Sequence, residues 1–133
     1  MKRGILLDTH TVIWYLIDPD KLSPAATAAI DSAFEMNAPL FVSAITLVEI
    51  VYLGEKRRIP EEAAASIIEA LTGGDGFTVV PIDISVVRTL ASIPRDAVPD
   101  MPDRIIAATG RMLNIPIVTK DHLIISSSVV TIW

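Results

Sequence analysis

Residues 3–17 read RGILLDTHTVIWYLI, and the way this stretch divides decides the fold. Arg3–Leu7 is short, apolar and halted by a charge, the pattern of a buried strand. Thr9–Ile17 follows as a helix and is closed by Asp18-Pro19-Asp20. A strand that passes through a single acid into a helix opens an α/β unit, and the rest of the chain repeats the arrangement. Ser23 as N-cap and Pro24 as first helical residue begin a helix reaching about Met36. Leu40–Val42 reads as a second strand, and a long helix runs from Ala44 to about Lys56. Pro60-Glu61-Glu62 starts another helix that ends at Gly73-Gly74. Phe77–Ile82 is a third strand, then helices occupy Ile84–Ile93 and Pro102–Leu113 on either side of a loop rich in Pro and Asp. Ile115–Thr119 and Val129–Ile132 supply strands four and five. The alternation calls for an α/β fold with a mostly parallel sheet of about five strands, covered by helices on both faces. One domain over residues 1–133 accommodates it.

Composition narrows the chemistry. There is no cysteine among the 133 residues, which removes disulfides, thiolate metal sites and cysteine nucleophiles. Two histidines, His10 and His122, are too few for a histidine-rich zinc site. No segment approaches the roughly 20 apolar residues needed to span a bilayer. The N-terminal apolar run is cut by Asp8 before it reaches the length of a secretory signal, so a cytoplasmic location is expected. The hydrophobic fraction is 51% and the mean hydropathy +0.52. Such values suit a sheet buried on both faces, or apolar surface kept for a partner. A net charge of −5 argues against bulk electrostatic attraction to nucleic acid. A carboxylate cluster that binds a divalent cation, however, becomes much less negative.

In an open α/β sheet, ligands bind beyond the carboxyl ends of the strands, at a topological switch point. Asp8 and Asp121 both stand just after a strand and just before a helical segment, so a parallel sheet brings them to one edge. Each is equally a normal N-cap. Asp103 lies in the first turn of its helix, where its charge also complements the helix dipole. Glu49 lies mid-helix on a polar stripe with Thr46, Tyr52 and Lys56, which reads as a solvated face. If all four acids meet, the cluster contains only oxygen donors and repels itself, and its pKa values should rise. Mg²⁺ or Mn²⁺ relieves that conflict, acidifies a water and neutralises a phosphate, which makes phosphodiester hydrolysis the natural reaction.

Three stretches carry a likeness beyond spacing. ILLDTHTVIW from residue 5, SAITLVEI at 43–50 and PDRIIAATGRMLNIPIVTKD at 102–121 resemble, in order and separation, PIN domains. The similarity is strongest to the VapC-type toxins of type II toxin–antitoxin systems. The resemblance covers essentially the whole chain and implies a three-layer α/β/α sandwich. It also implies a metal-dependent ribonuclease acting on RNA, a homodimer, and a small cognate antitoxin as partner. Matched by motif, it makes Asp8 and Asp103 the principal metal ligands, with Asp121 as a further ligand close by or acting through water, and Glu49 completing the pocket as ligand or water-orienting base. Thr9, Ser43 and Thr119 match positions of small polar residues that would hydrogen-bond the acids, while His10 is peripheral. The resemblance also offers Trp14, Leu16 and Leu53 as apolar surface for the antitoxin, or equally as core. Lys56-Arg57-Arg58 reads as a helix-end charge or a phosphate contact. Arg104 and Lys120, beside the acids, are the preferred grips for the scissile strand.

Two other readings compete. The run Asp8-Thr9-His10-Thr11 also resembles the start of haloacid-dehalogenase-type phosphatases, but that motif wants a second Asp where His10 stands. A PIN-like module kept only for binding would be expected to lose acids, and all four are present.

Overall fold

The computed structural model describes residues 3–125 and 129–133. Five strands form one sheet: β1 (Ile5–Leu7), β2 (Leu40–Ser43), β3 (Phe77–Val80), β4 (Ile117–Val118) and β5 (Thr131–Ile132). Its order is β3-β2-β1-β4-β5, and every neighbouring pair is parallel. The described helices are α1 (Thr9–Ile17), α2 (Pro24–Glu35), α3 (Ala44–Glu55), α4 (Glu61–Thr72), α5 (Ile84–Ala91), α6 (Met101–Leu113) and α7 (His122–Ile125), with a 3-10 turn at Pro19–Lys21. The sheet is thus wholly parallel rather than mostly so.

Four of the five strands are shorter than the apolar runs that announce them, for local reasons, while β2 gains Ser43. Gly4 has φ +82°, and a Cβ there would lie 2.2 Å from the Pro39 carbonyl oxygen, so the chain bends in before β1 begins. Pro81 ends β3 after Val80, and Pro116, having no N–H, precedes β4 while its carbonyl accepts from Leu6 N–H at 3.0 Å. Helix boundaries agree with the sequence to within a residue or two. Ser23 caps α2 by accepting from Ala26 N–H at 3.0 Å, with Pro24 in the first turn.

Side chains alternate across the sheet and divide the core in two. Ile5 and Leu7 of β1, Leu40 and Val42 of β2 and Val118 of β4 pack with Val12 of α1, Ile30 of α2, Ile50 of α3 and Ile67 of α4. Leu6 and Ile117 face the other way, onto Val86 of α5, Ile105 and Ile106 of α6 and Ile124 of α7. The result is a three-layer α/β/α sandwich whose central strands are apolar on both faces. That double burial contributes to the high hydropathy, as do exposed apolar side chains such as Val48, Val51, Ile84, Val87 and Met101. Trp14, Leu16 and Leu53 are half-buried against the first core layer, which favours their reading as core.

Two glycines set helix positions. A Cβ on Gly110 would lie 2.6 Å from Ile117 Cγ1, so α6 lies directly on β4 only because that Cβ is missing. A Cβ on Gly54 would come within 2.8 Å of the Ala64 Cβ, and the same close approach joins α3 to α4. From β3 at one edge the chain returns across β1 to place β4 on its far side. The strand order therefore reverses between β1 and β4, and the crevice beyond their carboxyl ends is the expected ligand position.

Candidate active site

A cavity of about 520 Å³ opens at that crevice. Asp8, Glu49, Asp103 and Asp121 all line it, together with Thr9, His10, Trp14, Asp100 and Lys120. The four acids read from the sequence therefore share one pocket, joined by a fifth, Asp100.

Topology explains the convergence. A helix that links parallel strands runs antiparallel to them, so its N-terminus lies at their carboxyl edge. Asp8 follows β1 and Asp121 stands three residues after β4. Asp100 and Asp103 sit at the start of α6. Glu49 enters from lower on α3, but a helical side chain leans toward the N-terminus of its own helix, which carries it back to the edge.

Capping and pocket membership turn out to be compatible. Asp8 is 7% exposed, and its Oδ1 accepts from Thr11 N–H at 2.8 Å, capping α1. Its Oδ2 accepts from the Thr119 hydroxyl. The Thr119 Oγ1 in turn accepts from Asp121 N–H at 3.0 Å, so one buried hydroxyl links the two strand-end acids. Asp121 Oδ1 accepts from Leu123 N–H at 2.9 Å and from Ile124 N–H at 3.0 Å. Thr11 donates to the Val118 carbonyl at 2.9 Å and fixes α1 onto β4.

Glu49 stands where the polar stripe of α3 passes from buried to exposed, Tyr52 and Lys56 beyond it being exposed. Thr46, its neighbour on the stripe, is fully buried, and Glu49 is half-buried. Thr9 Oγ1 donates to Glu49 Oε1 at 2.5 Å and lies 3.0 Å from the Thr46 hydroxyl. Burial raises the Glu49 pKa, the Thr9 hydrogen bond opposes that shift, and Asp100 and Asp8 add to it while His10 offsets them. Asp103 is pushed up to about 7, first by burial and then by the charges of Asp121, Asp100 and Glu49. Asp100 caps α6 weakly, accepting from Asp103 N–H at 3.4 Å.

Asp100 stands in the loop rich in Pro and Asp, where composition alone does not single it out. The signal that finds it is spacing: an Asp three residues before Asp103 is the N-cap of the helix that carries it. Of the small polar positions, Thr9 and Thr119 reach acids, while Ser43 is a buried cap that accepts from Ile45 N–H at 3.2 Å. Arg104 turns away from the cavity. Its Nε and Nη2 donate to the Ile93 carbonyl at 3.1 and 2.8 Å, and Nη2 to the Leu90 carbonyl at 3.2 Å. It closes the end of α5 rather than gripping a strand. Lys120 stays at the rim, with Nζ 6.0 Å from the Trp14 ring centre.

The donor set fits a hard divalent cation: the acids are all oxygen ligands, and two of them are made less acidic, first by burial and then by neighbouring carboxylates. As the side chains stand, no three carboxylates or imidazoles among the described residues lie close enough to enclose an ion. The pocket is a ring of acids, not a closed coordination shell.

A PIN domain family model matches residues 5–125. The chain is 34% identical over 133 residues to Ribonuclease VapC22 of Mycobacterium tuberculosis (strain ATCC 25618 / H37Rv), a match covering 97% of this chain and 98% of that protein. Its fold is shared with VapBC2 from Rickettsia felis, solved bound to a DNA fragment from their promoter, at TM-score 0.74 and 13% identity over 96% of each chain. FitAcB from Neisseria gonorrhoeae gives a TM-score of 0.64 at 24% identity, covering 96% of this chain and 95% of that one.

Proposed function

Because the chain belongs to the PIN-domain family, we propose that it is a divalent-metal-dependent endoribonuclease and the toxin of a toxin–antitoxin pair. The observation that carries the nuclease reading is the single cavity lined by Asp8, Glu49, Asp100, Asp103 and Asp121 at the switch point of the sheet. Homology to a ribonuclease over nearly the whole chain supports it. A VapBC complex among the structures that share the fold supports the paired toxin role.

Asp8, Asp103 and Asp121 would hold Mg²⁺ or Mn²⁺, with Asp100 beside them. The bound ion would supply charge neutralisation at the scissile phosphate and a more acidic attacking water. Thr119 and the first turn of α1 hold the Asp8 carboxylate in one orientation. Thr9 does the same for Glu49, whose pKa is raised by burial, which makes it a stronger proton acceptor than an exposed carboxylate. Lys120 provides a positive rim against the phosphate backbone. The protein would act as a cytoplasmic homodimer restrained by its antitoxin.

The test is purified protein on structured RNA, with Mg²⁺ or Mn²⁺ against EDTA, beside Asp8→Asn. Cleavage that requires the ion and disappears in the variant is expected. Equal cleavage in EDTA, or a fully active variant, would overturn the metallonuclease reading. Release of inorganic phosphate from monoesters in place of RNA shortening would favour a phosphatase. An adjacent reading frame whose product binds and silences the protein is the corresponding test of the toxin role.

A further inference from the structure

A second cavity, of about 470 Å³, adjoins the acidic one and shares Glu49 with it. From Glu49 it follows the exposed side of α3 past Val48 and Tyr52 to Lys56 and Arg58, with Met101 and Pro102 of α6 as the opposite wall. Its character changes along its length. One end is the acidic pocket, the middle is apolar, and the far end carries two cations in a chain whose net charge is −5. Tyr52 is 56% exposed and Met101 63% exposed, so the middle offers a solvent-accessible aromatic side chain. The Lys56 ammonium stands 5.8 Å from the centre of that Tyr52 ring.

We infer that this groove is a substrate subsite for single-stranded RNA, in which a base next to the cleavage point stacks on Tyr52 while Lys56 and Arg58 take the following phosphate. The inference rests on the ribonuclease reading of the acidic pocket. Three features fit one occupant. An aromatic face beside a cation is the repeating element of single-strand binding surfaces, where the ring takes any base and the cation takes the backbone. Charge complementarity runs in the right order, since beyond the acids, whose pocket has Lys120 at its rim, the groove ends at two further cations, Lys56 and Arg58. The spacing also fits. Glu49 to Lys56 is seven residues of helix, about 10 Å at 1.5 Å per residue, which an unstacked strand crosses in one or two nucleotides. Trp14 and Lys120 repeat the aromatic–cation pairing on the acidic pocket itself, so a strand meets such a pair both at the acids and beyond them. A duplex presents neither free base faces nor a narrow enough profile to use the groove. The groove thus selects loops and unpaired ends.

The test measures binding apart from cleavage. A fluorescent single-stranded RNA of about ten nucleotides, long enough to span such a groove, is titrated by anisotropy against the Asp8→Asn protein in Mg²⁺. Tyr52→Ala, Tyr52→Phe and Lys56→Ala/Arg58→Ala are compared in that background. Tyr52→Ala should bind about tenfold more weakly, and Tyr52→Phe close to the parent, because the ring face is kept. The double variant should bind more weakly and lose about 1.4 from the slope of log affinity against log salt, the value for two contacts to a single strand. These side chains are at the surface, so circular dichroism and thermal midpoints should match the parent. Unchanged affinity and slope in the variants, with cleavage by wild type intact, would overturn the groove assignment and leave the ribonuclease reading standing. Failure of the wild type to bind or cleave any RNA would overturn both. Unchanged RNA binding with loss of a protein partner would reassign the groove to a peptide.

Discussion

Replacing Asp103 with Asn should make the metal-free protein more stable above neutral pH while removing its activity. Asp103 ionises at about 7 in the folded chain against an ordinary value of 3.8. Between those values the folded form holds a proton that the unfolded form has already released. Unfolding therefore releases a proton, and stability falls as pH rises through this window, the full cost being present above pH 7. Taken at face value the gap is worth about 4 kcal/mol. The pocket is open to solvent on one side and Asp103 is only half-buried, so screening reduces this to the order of 1–2 kcal/mol. Asparagine forfeits the charge–dipole attraction at the start of α6, about 0.3–1 kcal/mol. The net gain at pH 8 is then about 1 kcal/mol, shrinking to zero or a small loss near pH 4. Urea denaturation of both proteins in EDTA at the two pH values measures it. With Mg²⁺ at about a hundred times its Kd, the wild type should recover about 2.7 kcal/mol and the variant much less. A variant less stable than wild type at pH 8, or a difference that does not change with pH, would refute the claim that burial and the neighbouring acids penalise the Asp103 charge.

Thr9→Val removes the hydrogen bond that restrains the rise of the Glu49 pKa. The acidic limb of the pH–rate profile should accordingly move to higher pH, whereas Thr9→Ser should leave it in place. Gly110→Ala forces a Cβ against Ile117 and should cost about 1–3 kcal/mol by overpacking, read as a lowered urea midpoint. Activity per folded molecule should fall as well, because α6 carries Asp103. Arg104→Met strips the fork from the Leu90 and Ile93 carbonyls and should lower stability by about 1–3 kcal/mol. The salt slope of RNA binding should stay as it was, in contrast to a Lys120→Ala variant.

The fold was legible because it depends on periodicity. Short apolar runs between amphipathic helices leave few alternatives to a parallel sheet, and helix starts such as Ser23-Pro24 are marked by local chemistry. Strand ends were less legible, since Gly4, Pro81 and Pro116 cut the ladder inside runs that remain apolar. The site divided along the same line. Asp8 and Asp121 are placed by their positions after strands, whereas Glu49 and Asp103 were assigned to the pocket through family likeness. Yet topology alone carries Asp103 to the same edge, because α6 must run antiparallel to the strands it connects. Arg104 shows the reverse error. Adjacency in sequence to Asp103 suggested a shared target, but one residue along a helix is a rotation of about 100°, enough to aim a side chain at a different element.

Cap and catalyst are not alternatives for Asp8 and Asp121. An N-cap at the carboxyl edge of a parallel sheet places a carboxylate where ligands bind, and the amides it accepts from hold it there. Asp8 accepts from α1 through one oxygen and from Thr119 through the other, while Asp121 uses one oxygen for both amides of its own turn. Orientation is thus supplied by the same bonds that start the helices, before any ion or substrate arrives. Glu49 is oriented by the Thr9 hydroxyl, and both Glu49 and Asp103 are half-buried beside those charges, which raises their pKa values. The pocket therefore contains three carboxylates oriented by the fold and, in Glu49 and Asp103, two whose charge the fold penalises. A divalent cation relieves that pair by binding among all of them. Stability lost in the empty pocket is then regained only on binding, which is why the Asp103→Asn experiment and the metal titration probe a single property of the site.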